Sequence, residues 1–147
     1  MARVYVSAVM NASLQEAWAF LRDFGALGNY HPFFCNSFIE DGKPADQVGC
    51  VRRFEVREDG GYLREQLLAL SDDEHRCRYR ILHIDAPWRN YVAEMHLLPV
   101  TEGNRCFGEW WATFEVPPEE EAAAVERVAA TFRTFFACVD EAQAAGR

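Results

Sequence analysis

The sequence predicts one α+β domain over residues 1–147: a curved antiparallel sheet of seven strands around a long C-terminal helix, with two short helices after the first strand. Three observations carry that expectation. From Pro118 to Ala144, apolar residues recur at helical spacing through Val125, Val128, Ala129, Phe132, Phe135, Phe136 and Val139. From Cys35 to Val116, short alternating runs follow one another, separated by turn residues. Ahead of them, one strand pattern leads into a helix-capping signal. Successive antiparallel strands joined by short turns make one sheet, whose apolar face needs a cover. Only the terminal helix is long enough to supply it, at roughly 27 residues and about 40 Å.

Each element has a local cause. Arg3 to Met10 alternates and is rich in valine, so it reads as a strand, and Asn11-Ala12 breaks it. Ser13-Leu14-Gln15-Glu16 is a capping box, which starts a helix from Leu14 to about Asp23 with Ala17, Trp18 and Leu21 on its apolar face. Phe24 to Tyr30 carries Gly25 and Gly28 and reads as a short, poorly formed second helix that His31-Pro32 ends. The meander then runs Cys35–Glu40, Gly49–Glu58, Tyr62–Ser71, His75–Ile84, Asn90–Val100 and Arg105–Val116. Asp59-Gly60-Gly61 makes a tight hairpin, and Asp41–Asp46 and Asp85–Arg89 are longer loops. Pro117 and Pro118 stop the last strand, and Glu119, Glu120 and Glu121 suit the positive end of the helix that follows.

Bulk properties exclude several functions. Half of the residues are apolar, which suits a sizeable core. A net charge of −8 argues against nucleic acid and anionic membranes as partners. Charges interleaved in the terminal helix exclude insertion into a membrane. Five cysteines without tight spacing read as buried thiols of a reducing compartment, and the strand pattern at the N-terminus leaves no signal-peptide core, so a cytoplasmic protein is expected. There is no Gly-x-Ser-x-Gly elbow, phosphate-binding glycine loop or dinucleotide fingerprint, and no Cys or His pair has zinc spacing. No cofactor and no metal is therefore implied.

Side chains alternate between the faces of a strand, so parity predicts what lies between sheet and helix. It turns Arg52, Phe54 and Val56 inward, then Leu63, Glu65 and Leu67, then Cys77, Tyr79, Ile81 and His83. It also turns in Tyr91, Ala93, Met95 and Leu97, and Gly108, Trp110, Ala112 and Phe114, opposite the Phe132 face of the helix. The interior is thus apolar and aromatic, with one arginine, one glutamate, two tyrosines and a histidine. Arg52 and Glu65 either pair across one hairpin and serve the fold, or orient a ligand in an apolar pocket. Tyr79, Tyr91, His83 and Trp110 share that face and can donate hydrogen bonds. His83 lies near a strand end, where a structural histidine is the commoner case. Trp18 and Trp111 read as packing. Exposed aromatics, Phe107 and Trp111 among them, either pack under the N-terminal helices or form a homodimer face.

Several short motifs are spread over nearly the whole chain: Glu16-Ala17-Trp18, Phe24-Gly25 with Tyr30-His31-Pro32, Gly49-Cys50-Val51-Arg52 and Asp59-Gly60-Gly61. Glu65-Gln66-Leu67, Tyr79-Arg80-Ile81, Asn90-Tyr91 and Trp110 follow. In their order and spacing the chain resembles the helix-grip superfamily, which includes the birch-pollen-allergen fold, lipid-transfer START domains and polyketide cyclases. Within it, the chain looks like the bacterial polyketide cyclase/dehydrase and lipid-transport family, and more distantly like the plant abscisic-acid receptors. The resemblance implies a seven-stranded sheet gripping the terminal helix around a ligand cavity. It places the family's polar cavity residues on Arg52, Glu65 and Tyr91, with His31 near the entrance. Tyr30 stands where many relatives have tryptophan, and the short Asp59-Gly60-Gly61 turn leaves no room for the receptors' gating loop. A hormone-receptor role is therefore not expected.

Two functions follow. A binding protein would hold a small hydrophobic ligand, lipid or polyketide-like, against the aromatics, with Arg52 anchoring a carboxylate or phenolate. A cyclase or dehydratase would use Glu65 or His31 to remove a proton alpha to a carbonyl, with Arg52 and Tyr91 holding the enolate oxygen.

Overall fold

The alternating runs of the central chain become strands wherever one face can be buried, and the apolar stripe of the C-terminal segment provides the surface that buries them. The computed structural model describes residues 1–146. Strand β1 (Ala2–Met10) leads into helices α1 (Leu14–Leu21) and α2 (Leu27–Tyr30). Strands β2 (Phe34–Ile39), β3 (Val51–Val56), β4 (Tyr62–Ser71), β5 (Arg76–Ile84), β6 (Arg89–Val100) and β7 (Arg105–Glu115) follow, and helix α3 (Glu121–Ala145) ends the chain. The seven strands form one antiparallel sheet in the order β1-β7-β6-β5-β4-β3-β2, so the meander closes on β1 and leaves β1 and β2 as edges.

The capping box at α1 is complete: Glu16 N–H donates to Ser13 Oγ at 3.1 Å and Ser13 N–H to Glu16 Oε1 at 3.0 Å. The helix stops at Leu21, shorter than expected, because Arg22 is drawn off to Asp72. One Asp72 oxygen, Oδ1, accepts from Trp18 Nε1 and from Arg22 Nε, both at 2.7 Å, and fastens α1 to the β4–β5 turn. At the other end, Pro117 is extended and Pro118–Glu120 form a single 3-10 turn, so α3 proper starts at Glu121 rather than Pro118.

The core lies between α3 and the inner face of the sheet. Ala124, Val128, Ala129, Phe132, Phe135, Phe136 and Val139 are buried there. The Trp110 ring stacks on Phe135 and Phe132, with centroids 4.3 and 5.2 Å apart. Each fully buried aromatic or large aliphatic side chain stabilises the fold by about 1.5–3 kcal/mol relative to exposure. Beneath Phe136 the sheet has no side chain at all: Gly108 lets the ring rest on the β7 backbone.

Four register breaks shape the sheet, one of them at Leu68 in β4, between the Leu67–Tyr79 and Ala69–Arg78 pairs. Asn36 in β2 and Asn90 in β6 sit at register breaks with φ of 52° and 53°, left-handed values that asparagine tolerates. In β5, Arg64 pairs with His83 but Glu65 pairs with Ile81, so Leu82 is an extra residue that reverses parity beyond it. Phe107 and Trp111 are half-buried on the outer face, across from Val9 and Leu98 and from Tyr5 and Glu94, and not under the N-terminal helices. Among the described residues, no helix is long and apolar enough to cross a membrane.

Candidate functional site

The site lies where β3 to β6 curve away from the N-terminal half of α3. Its walls are Leu27, Phe34, Phe54, Leu63, Ile81, Ile84, Trp88, Val128, Phe132 and Phe135, and its polar groups are Arg52, Glu65, Tyr79, Tyr91, Arg127 and Thr131. The cavity is only about 40 Å³, room for roughly two or three waters. The expected gap between sheet and helix is largely filled by the aromatic rings themselves.

Strands β3 and β4 place Arg52 and Glu65 directly opposite each other, and each is 5% exposed. Arg52 Nε donates to Glu65 Oε1 at 2.8 Å, Nη2 lies 2.7 Å from the same oxygen, and Nη1 donates to Phe24 O at 3.3 Å. The guanidinium carbon also lies 4.0 Å from the Phe24 ring centroid and 4.8 Å from that of Tyr79. All three nitrogens are thus committed inside the protein. Burial opposes the charge on Arg52 most strongly, but the Glu65 carboxylate together with Tyr79 and Cys77 brings the pKa above the ordinary value. Burial also raises the Glu65 pKa above the usual carboxylate range, against the pull of Arg52. Among the described residues no hydrogen bond reaches Glu65 Oε2.

Behind the pair, Tyr79 OH accepts from Trp110 Nε1 at 3.1 Å. Tyr91 packs against Phe114 and Trp88, with centroids 5.4 and 6.2 Å apart. Burial raises the pKa of both tyrosines, so both are neutral hydroxyls at physiological pH.

A comparison with curated proteins gives no match. Against protein families, residues 1–139 match the polyketide cyclase/dehydrase and lipid transport family. The chain belongs to that family.

Among solved structures, the fold of this family member is shared with XoxI of Bacillus cereus, at 22% identity and a TM-score of 0.83 over 97% of this chain and 95% of that one. It is shared with a Nitrosospira multiformis protein at 26% identity and a TM-score of 0.78, over 95% of this chain and 94% of that one. Norcoclaurine synthase of Thalictrum flavum, solved with dopamine and hydroxybenzaldehyde, aligns at 14% identity and a TM-score of 0.76, over 99% of this chain and 87% of that one.

In this polyketide cyclase/dehydrase family member, Arg52, Phe54, Glu65, Tyr79, Tyr91 and Phe132 all line the cavity. Three expected residues do not. His83 points outward, because the Leu82 bulge reverses its parity; it stacks on Tyr62 at 4.2 Å and its Nε2 lies 3.0 Å from Asp85 Oδ1. Trp110 faces inward but is sealed under α3 by Phe132, Phe135 and Phe136. His31 does not line the cavity: it is buried, 1% exposed, directly behind the groove residues Phe33, Phe34 and Thr131. Its ring packs on Phe33, Phe34 and Phe135, with centroids 4.7–4.9 Å away. Nδ1 accepts from Phe33 N–H at 3.2 Å and Nε2 meets Thr131 O at 3.1 Å. Burial lowers its pKa to about 4, so the ring is neutral.

Sequence reasoning missed Phe34, Arg127 and Thr131. These three also line an open outer groove of about 400 Å³, formed with Pro32, Phe33, Val56, Arg57, Glu58 and Ala130. They are the partition between groove and cavity. Arg127 and Thr131 lie one helical turn apart beside Val128 and Phe132, a row that a helical projection of α3 exposes.

Proposed function

We propose that the chain binds a small hydrophobic or aromatic metabolite, lipid- or polyketide-like, between α3 and the sheet, and carries or sequesters it. The state of the two candidate bases carries this reading. Glu65 is held by Arg52 and His31 by two backbone groups. A cyclase needs a base free of such partners; a carrier does not. What remains is apolar area with a few polar groups, the composition of a binding site.

A cavity of about 40 Å³ is far below the roughly 300–1,000 Å³ of ordinary ligand sites. Loading therefore moves side chains. Phe34 and Trp88 are the ones placed for it, since Phe34 separates groove from cavity and Trp88 comes from the β5–β6 loop. Native mass spectrometry of the purified chain, with extraction of its cargo, is the test. A metabolite near one per chain supports the carrier reading. A chain that is empty and takes up no neutral apolar probe counts against it.

A second reading, a cyclase or dehydratase, draws on Glu65. Its pKa is raised by burial and Oε2 accepts no hydrogen bond among the described residues, which suits a base at a carbonyl's alpha proton. Glu65→Gln should then abolish turnover of a poly-β-ketone. Retained turnover would sink the assignment.

A further inference from the structure

The outer groove carries two arginines that no described carboxylate neutralises. Of the thirteen described arginines, eight lie more than 4.0 Å from any described carboxylate, whereas Arg22, Arg52, Arg64, Arg76 and Arg133 pair with Asp or Glu. Arg57 and Arg127 do not: among the described residues, no carboxylate lies within 4.0 Å of either guanidinium. Arg57 spends only Nε, on Phe34 O at 3.1 Å. Arg127 lies 5.3 Å from the Trp88 ring centroid. Both are exposed and line one groove, whose floor is the apolar surface of Phe33, Phe34, Val56 and Ala130. Glu58 is the single carboxylate in its wall, so the groove is net positive.

The same groove leads inward, since Phe34, Arg127 and Thr131 belong to both groove and cavity. Deeper in, Arg52 already faces the buried Glu65 carboxylate and gives an N–H to Phe24 O, so an anion brought there would meet that carboxylate. A bound acid would have to leave its charge outside and send its apolar part in.

We propose that the ligand is an amphipathic carboxylic acid, held with its carboxylate between Arg57 and Arg127 at the mouth and its apolar body along Phe34 toward the aromatic cavity. This rests on the binding reading above. It reverses the orientation in which Arg52 would anchor the acid.

The test uses displacement of N-phenyl-1-naphthylamine, a neutral probe, from the intact chain by dodecanoic acid and by dodecanol, at about pH 8 where the acid is ionised. The acid should bind roughly tenfold tighter than the alcohol at low salt, with the ratio shrinking toward one near 1 M salt. Arg57→Gln and Arg127→Gln should each lower the ratio, the double variant should bring it near one, and Arg127→Lys should keep most of it. Reading the ratio cancels any general loss of binding or folding in a variant. An acid no better than the alcohol, or a preference that survives the double variant, overturns the mouth assignment and leaves the cavity reading standing. If neither probe nor chain compound binds, the cavity reading fails and this proposal with it.

Discussion

Arg52 and Glu65 face each other across the β3–β4 hairpin, and both the hydrogen bond and the shortest contact between them fall on one oxygen, Glu65 Oε1, at 2.8 and 2.7 Å. Breaking such a pair from one side leaves the other charge buried and uncompensated, which costs about 3–5 kcal/mol. Glu65→Gln should therefore lose several kcal/mol in urea denaturation. Replacing both partners, as in Arg52→Met with Glu65→Leu, should recover much of it, because the desolvation cost disappears with the charges. If Arg52 oriented a ligand, Arg52→Ala would weaken acidic-ligand binding more than it lowers stability; with the pair this tight, loss of fold should dominate. A Glu65→Gln variant within 1 kcal/mol of the parent is inconsistent with a structural pair.

His31 gives stability an acid-side slope. Its folded pKa is about 4, lowered chiefly by burial, whereas an unfolded histidine titrates near 6.5. Between these values the unfolded chain binds the extra proton, so stability falls as pH drops from about 6.5 to about 4, by up to about 3 kcal/mol. Glu65, raised by burial, tilts the other way on the acid side, while Glu40, Asp72, Asp85 and Glu109 are lowered, chiefly by side-chain or backbone hydrogen bonds, and weaken the fold only below the normal carboxylate range. The difference between parent and His31→Gln isolates the histidine. Denaturation at about pH 7, 6 and 5 should show the variant's penalty shrinking as pH falls; a pH-independent gap would mean that His31 does not titrate low.

Gly108 should tolerate no side chain. A Cβ there would overlap the Phe136 ring and meet Met10 Cε at 2.9 Å, and both neighbours are at most 2% exposed. Overpacking of this kind costs about 1–3 kcal/mol. Gly108→Ala should lower the thermal midpoint by several degrees, roughly 4 °C per kcal/mol at this chain length. An unchanged midpoint would show that α3 can lift off β7 without loss.

The order of elements, the capping box, the inward Arg52, Glu65 and Tyr91, and the helix face with Phe132 were all legible, because each follows from a period of 2 or 3.6 residues. What period cannot carry is an inserted residue. Leu82 has no residue type that announces a bulge, so the parity that places Tyr79 correctly places His83 wrongly. Nor does period report how full a space is. Trp110 faces the predicted way, yet its contact with Phe135 is a matter of three-dimensional packing that removes it from the cavity wall. Nor does period on α3 show that the exposed Arg127 lies beside the loop carrying Trp88, 5.3 Å from its ring centroid.

Phe34 is the partition between groove and cavity, and on the proposed binding reading a ligand displaces it. It lines both groove and cavity, is 8% exposed, and packs on Phe54 and His31 with ring centroids 4.9 and 4.8 Å away. Phe34→Ala removes the ring and joins the two spaces, at a stability cost of about 3 kcal/mol. The same change should admit an apolar probe faster, since the barrier to entry is the ring's rotation out of its packed position. Stopped-flow fluorescence with a neutral probe should then show a higher association rate in the variant, while Val56→Ala, which trims the groove but not the partition, should leave it near the parent's. If both variants speed entry equally, the ligand passes elsewhere, and the Trp88 loop becomes the gate to test.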